Sequence, residues 1–122
     1  MYFPISSWFP AFVITLVVEI PIVAVLVRRW ERDAIRLGII IVVANLATHP
    51  VVWYVISQIL SVGTPAYTLA AEIWAVAVET AIYWAAIRGL PVRRALVVAA
   101  VANVTSWFVG RAIGGVWPEL FS

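Results

Sequence analysis

The sequence contains no cysteine and no lysine, and it has a single histidine among its 122 residues. Without cysteine the chain has no disulfide framework, no thiolate metal site and no thiol nucleophile. All eight basic residues are arginines, and six acidic residues oppose them, so the formal net charge is only +2. So small a positive charge, gathered in short clusters, argues against nucleic acid as a partner.

Charge of either sign is scarce, and apolar side chains dominate instead. Charged residues make up 11% of the chain, hydrophobic residues 65%, and the mean hydropathy is +1.06. Soluble domains are roughly half apolar and about a quarter charged. A soluble fold of this length could not cover so much apolar surface, whereas lipid makes that surface favourable. The sequence therefore predicts a single all-α integral membrane domain over residues 1–122.

Four apolar segments are each long enough to cross the roughly 30 Å hydrocarbon core. Turn and cap signals separate them: Asp33 is suited to cap the second segment, and Thr64 followed by Pro65 is suited to begin the third. Pro50 should bend the second segment because it lacks an amide donor. Short connections predict an antiparallel four-helix transmembrane bundle. The predicted spans are 8–27, 34–60, 66–88 and 91–113.

The arginines orient the predicted bundle. Seven of them lie in, or within one helical turn of, the two connections between the first and second spans and between the third and fourth. By the positive-inside rule both connections are cytoplasmic, and both termini lie on the outer, periplasmic side of a prokaryotic inner membrane. Arg111 is the exception, near the outer end of the fourth span. The first cluster comprises Arg28, Arg29, Arg32 and Arg36, and the second comprises Arg88, Arg93 and Arg94.

Polar residues recur near the middle of every predicted span, most densely in the stretch from Asn45 to Pro50. Counting about 1.5 Å per residue from each helix end places them near the bilayer midplane. A charged side chain there costs at least about 2.5 to 3.5 kcal/mol, so it must find partners inside the bundle or be neutralised by a proton. The predicted midplane cluster comprises Glu19, Asn45, Thr48, His49, Glu79, Asn103 and Ser106.

Four roles are open for this cluster. It can hold the helices together by hydrogen bonds, or relay protons or ions through Glu19, His49 and Glu79. His49 can also be an axial ligand of a heme or chlorophyll, or join the two glutamates around one ion. Glu79 or Glu19 can act as a base in hydrolytic or transferase chemistry, although no nucleophile motif accompanies them. We predict no metal site and no cofactor, with a pigment, heme or quinone contact left open.

Two further contacts are expected from helix geometry. Glu72 lies two helical turns before Glu79, at the estimated depth of Arg111, which predicts a Glu72–Arg111 ion pair. Small residues repeat every fourth position on the third and fourth spans, a spacing typical of close helix packing in membranes. The predicted packing residues are Ala77, Ala81 and Ala85 on the third span, and Ser106, Gly110 and Gly114 on the fourth.

The spacing of these residues resembles a pattern in small prokaryotic membrane proteins of about this length. The pattern consists of Asn45-x-x-Thr48-His49-Pro50, then Glu72 and Glu79, then Asn103-x-x-Ser106. The resemblance implies four spans and no established activity, so it transfers no functional residue. The echo between Asn45-x-x-Thr48 and Asn103-x-x-Ser106 is too short to indicate an internal repeat.

The function expected from the sequence is that of an accessory or assembly subunit without catalytic activity. Thin connections leave no soluble domain to bind a polar substrate, and no catalytic motif is present. The expected partners are the lipid bilayer and other subunits of a larger membrane complex. We expect that complex to be a bioenergetic one, either respiratory or photosynthetic. The alternative is an intramembrane proton or ion conduit, or a sensor, that uses the midplane cluster.

Overall fold

The computed structural model describes residues 5–121, and the side chains of residues 6–120. This part of the chain is helical and contains no strand. Four helices form it: α1 (Ile5–Val27), α2 (Ala34–Val51), α3 (Pro65–Ala86) and α4 (Val92–Val116). α2 continues through a π-helical turn, Val52–Ile56, and a last turn, Ser57–Ile59. A 3-10 turn, Pro118–Phe121, follows α4.

Each of the four helices is long and apolar enough to cross a membrane. The caps expected from the sequence are confirmed. Asp33 accepts hydrogen bonds from the amides of Ile35 and Arg36, both at 3.1 Å, and Thr64 accepts one from the amide of Tyr67 at 3.3 Å. Local signals therefore determine where α2 and α3 begin.

The helices form a ring in which α1 and α3 each pack against both α2 and α4. Consecutive helices run in opposite directions. The start of α2 meets the end of α3, where Arg36 donates to the carbonyl of Ala86 at 2.7 Å. The end of α2 meets the start of α3, where Tyr67 donates to the carbonyl of Val52 at 3.1 Å.

The two arginine-rich connections lie together at one end of the bundle, which we call the arginine end. Trp30 links them, because the guanidinium groups of Arg29 from the first cluster and Arg94 from the second lie 5.8 and 5.3 Å from its ring centroid. The half of the bundle nearest this end is filled with buried apolar side chains. They include Val23, Val27, Ile41, Ile87, Leu90 and Val98.

Candidate functional site: a buried carboxyl pair beneath a one-sided cavity

Glu19 of α1 is wholly buried, and its carboxyl group joins three helices. Its Oε2 accepts a hydrogen bond from Nδ2 of Asn45 on α2 at 2.9 Å. Its Oε1 accepts one from Oγ of Ser106 on α4 at 3.1 Å. Both oxygens of a carboxyl group that lipid would exclude are thus satisfied inside the bundle.

Glu79 of α3 is also wholly buried and occupies the equivalent place across the bundle. Its Oε2 accepts from Nδ2 of Asn103 on α4 at 2.5 Å, and Oε1 is 3.5 Å from the hydroxyl of Tyr83. The carboxyl groups of Glu79 and Glu19 lie close enough to interact directly. Two carboxylates this close in an apolar interior would repel each other strongly, so we expect the pair to hold one proton.

The two asparagines are held in the same way on α2 and α4. Asn45 donates a second hydrogen bond to the carbonyl of Ile41 at 3.0 Å, and Asn103 donates one to the carbonyl of Ala99 at 2.8 Å. Both amide hydrogens of each asparagine are therefore in use, which fixes which side-chain atom is nitrogen. The similarity between Asn45-x-x-Thr48 and Asn103-x-x-Ser106 is too short to indicate a sequence repeat. In the structure, however, the two asparagines make the same pair of hydrogen bonds.

Five residues of the predicted cluster are thus brought together, and they form what we call the carboxyl network: Glu19, Asn45, Glu79, Asn103 and Ser106. Thr48 is buried beside it, but its hydroxyl donates back to the carbonyls of Ala44 and Asn45 on its own helix. His49 lies in the adjacent layer, farther from the arginine end. All four helices contribute at least one residue to the network.

A cavity of about 410 Å³ opens at the end of the bundle away from the arginine clusters and reaches down to the carboxyl network. Its floor includes Asn103 and Ser106, which donate directly to the two buried acids. Its walls come from all four helices. The polar and aromatic lining comprises Thr15, Thr48, His49, Trp53, Tyr67, Thr68, Glu72, Asn103, Ser106, Trp107 and Arg111.

His49 is positioned by α1. Its Nε2 lies 3.1 Å from Oγ1 of Thr15, whose hydroxyl hydrogen is donated to the carbonyl of Ala11 at 3.0 Å. The other ring nitrogen, Nδ1, is buried with no hydrogen-bond partner among the described residues. The ring meets Phe12 edge to face with centroids 5.6 Å apart.

This packing bears on the ligand roles considered for His49. The described residues contain no group of three or more His, Cys, Asp or Glu side chains that could hold a metal ion. Glu19 and Glu79 accept from Asn45 and Asn103 in a different layer, so they do not gather with His49 around an ion. Sequence reasoning missed Thr15 as the partner of His49. Its place one helical turn before Glu19, on the same face of α1, was the available signal.

The predicted Glu72–Arg111 ion pair is not formed. Within the part of the chain that the structure describes, the ion pair with nitrogen and oxygen within 4.0 Å is Arg36 with Glu31, at 2.8 Å. Arg111 instead lies over the ring of Trp107, 5.1 Å from its centroid, and is exposed at the cavity mouth. Oε2 of Glu72 is buried without a hydrogen-bond partner. Counting residues gave similar depths but could not give the directions of the two side chains.

The predicted packing stripe on α3 is wrong. Ala77, Ala81 and Ala85 are exposed on the outward face, whereas the buried face carries Ala71, Ala75, Glu79 and Tyr83. On α4, Ser106 is buried, but a side chain added at Gly110 would meet no atom within 4 Å because Gly110 borders the cavity. Gly114 is half-buried near the end of α4. The polar residues, rather than the small ones, mark the inward face of α3.

A π-helical turn shapes one wall of the cavity. It follows Pro50, at the point where the helix was expected to bend, and includes Val52 and Trp53. The carbonyl of Val52 accepts from the hydroxyl of Tyr67, and that of Trp53 accepts from the hydroxyl of Ser57 at 2.6 Å. Such turns often occur at functional sites in helical proteins.

Comparison of the chain with family models, with curated proteins and with solved structures gives no match. The function is therefore argued from the geometry of the carboxyl network and the cavity.

Proposed function

We propose that this chain is a non-catalytic integral membrane protein in which the carboxyl pair of Glu19 and Glu79 takes up and releases a proton. The observation that carries the proposal is the burial of two neighbouring acids, whose hydrogen-bond partners are all neutral side chains, at the floor of a cavity. Paired acids that share a proton are a recurrent device in proteins.

The closed arginine end supports a sensor rather than a conduit. The residues that line the cavity lie at the level of the network or on its side away from the arginine end, and the apolar residues Val23, Ile41, Ile87 and Val98 are packed on the other side. A proton entering by the cavity would have no polar path onward through that layer. It would return by the same route, so occupancy of the pair would report the proton activity on one side of the membrane.

The network also offers a way to transmit the change. Loss of the proton would place two carboxylates side by side, and their donors Asn45, Ser106 and Asn103 carry no positive charge that could offset the repulsion. Repulsion between like charges in a low-dielectric interior is strong. Because the acids lie on α1 and α3 and their donors on α2 and α4, deprotonation would alter the packing of all four helices.

Infrared difference spectroscopy on the purified protein in lipid vesicles tests this proposal. The wild type should show a protonated carboxylic acid band that disappears as the pH rises. Glu19→Gln and Glu79→Gln should each remove or shift that band, whereas the control Glu119→Gln, in the exposed C-terminal turn, should leave it unchanged. A band that persists at every pH would show that the pair is purely structural, and its complete absence would show that no proton is shared.

A second proposal, that the chain is an accessory subunit of a larger membrane complex, is favoured by the outward surface of α3. Trp74 and Trp84 are 38% and 57% exposed on that surface, where large aromatic side chains suit contacts with another subunit. The connections are short, so any partner must be met largely within the membrane. Purification from native membranes in mild detergent should recover a stoichiometric larger complex. A lone monomer or homo-oligomer would contradict this proposal.

A further inference from the structure

The cavity differs from the carboxyl network in one respect: its wall holds an acid that the protein itself leaves unsatisfied. Glu72 takes no part in the network, and its Oε2 is buried without a hydrogen-bond partner among the described residues. Buried carboxyl oxygens in proteins are nearly always hydrogen-bonded, so an exception calls for a physical explanation. Arg111, the nearest candidate from the sequence, lies over Trp107 at the mouth instead.

We propose that this cavity binds an organic cation, an ammonium group carried on an apolar or aromatic body, with Glu72 as its counter-ion. The inference does not depend on proton uptake by Glu19 and Glu79. It assigns a separate ligand to the space above that pair.

The charges and acceptors of the wall select for a cation. Glu72 supplies a carboxyl group, and His49, another lining residue, has a buried ring nitrogen, Nδ1, without a hydrogen-bond partner. An anion would meet the carboxyl group of Glu72 and find a guanidinium only at the mouth. A divalent metal is disfavoured as well, because no three acidic or histidine side chains converge in the described residues.

The aromatic residues of the wall suit the same ligand. Trp53, Tyr67 and Trp107 line the cavity, and tryptophan is the side chain whose face attracts cations most strongly. Trp107 already receives the guanidinium of Arg111, 5.1 Å from its ring centroid. Aliphatic wall residues such as Ile14 and Val52 provide apolar surface for the rest of the molecule.

The dimensions of the cavity are consistent with a small ligand. Its volume of about 410 Å³ falls within the roughly 300 to 1,000 Å³ of typical small-molecule sites. The two similar hydrogen-bond arrangements around Asn45 and Asn103 differ in their neighbours. Glu72 lies two turns before Glu79, where α1 has Phe12 before Glu19, and His49 lies one turn after Asn45, where α4 has Trp107 after Asn103. Glu72 and His49 both line the cavity.

The proposal can be tested by isothermal titration calorimetry, which measures the affinity of the purified protein in detergent micelles for benzyltrimethylammonium. The wild type should bind this cation saturably. Glu72→Gln should weaken binding by at least about tenfold, equivalent to about 1.4 kcal/mol, because the counter-ion is lost. Glu72→Asp should retain most of the affinity, and Glu31→Gln, at the arginine end, should leave it unchanged.

Neopentylbenzene, which replaces the ammonium nitrogen with carbon at nearly the same shape, is the matched neutral probe. It should bind more weakly than the cation, and Glu72→Gln should not change its affinity. Equal affinity for the two probes would overturn the proposal in favour of an apolar site, such as one for a lipid chain. No saturable binding of the cation, or binding unaffected by Glu72→Gln, would also overturn it. The infrared test uses Glu19 and Glu79, so the two proposals can fail separately.

Discussion

At the scale of single residues, Asn45 and Asn103 decide how two acids can be buried in an apolar bundle. Each asparagine uses one amide hydrogen to anchor itself to its own helix and the other to bind a glutamate on a neighbouring helix. The anchor fixes the side chain before the helices meet, so less conformational entropy is lost when the interhelical bond forms. The acids are held by donors whose positions α2 and α4 dictate.

Replacing Asn45 by leucine should therefore destabilise the bundle although the two side chains are similar in size. Oε2 of Glu19 and the carbonyl of Ile41 would each lose a donor. Interhelical hydrogen bonds in membranes contribute about 0.6 kcal/mol on average and up to about 1.7 kcal/mol, so we expect a loss of about 1 kcal/mol. Unfolding by SDS in mixed micelles, followed by tryptophan fluorescence, measures it.

Thr80→Val is the control for that substitution, because the hydroxyl of Thr80 donates to the carbonyl of Val76 on its own helix. It removes a hydrogen bond without separating two helices. If Asn45→Leu lowered the free energy of unfolding no more than Thr80→Val, the role of Asn45 in holding Glu19 would be refuted.

At the scale of elements, two carbonyls of the π-helical turn of α2 accept side-chain hydrogen bonds, that of Val52 from Tyr67 on α3 and that of Trp53 from Ser57. Tyr67→Phe removes the donor to Val52, and we expect a loss of about 0.5 to 1.5 kcal/mol, the usual net contribution of one hydrogen bond. Tyr54→Phe is the matched control, because the Tyr54 hydroxyl is buried without a hydrogen-bond partner in the described residues. It should be neutral or slightly stabilising in the same unfolding assay. A larger loss for Tyr54→Phe than for Tyr67→Phe would contradict this assignment.

The faces of α3 and α4 provide a second test at this scale. Ala81 is exposed on the outward face of α3, whereas Ala102 is wholly buried on α4. Ala102→Leu should destabilise by about 1 to 3 kcal/mol, because added methyl groups overpack a filled core. Ala81→Leu should have little effect, since the larger side chain extends outward. A severe loss for Ala81→Leu in a monomeric preparation would restore the packing role predicted from the alanine spacing.

At the scale of the whole molecule, all seven clustered arginines lie at one end, and the cavity opens at the other. The positive-inside rule then predicts that the cavity faces the periplasm. Because these 122 residues contain no cysteine, single cysteines introduced among them can be labelled without background. Ser61→Cys, in the α2–α3 connection, should react with an impermeant maleimide in intact cells. Ala34→Cys, at the exposed start of α2, should react only after permeabilisation. The reverse pattern would invert the topology and place the cavity on the cytoplasmic side.

Much of the architecture was predictable because it depends on signals that are local in the sequence. Hydropathy located all four helices, Asp33 and Thr64 located two of their starts, and the scarcity of charge made each buried acid conspicuous. Contacts between helices were less accessible. The alanine spacing on α3 could not reveal which face was inward, because the small apolar side chain of alanine can face either lipid or protein.

The sequence by itself determined that the polar residues of four apolar helices must meet, since lipid would not accept them separately. Only the tertiary structure decided how they pair. The structure places Glu19 beside Glu79 and pairs each acid with one asparagine. It leaves Oε2 of Glu72 without a hydrogen-bond partner beside the cavity. The physical reason is that depth along a helix follows from counting residues. The direction of a side chain depends instead on helix rotation and packing, which are set by all four helices together.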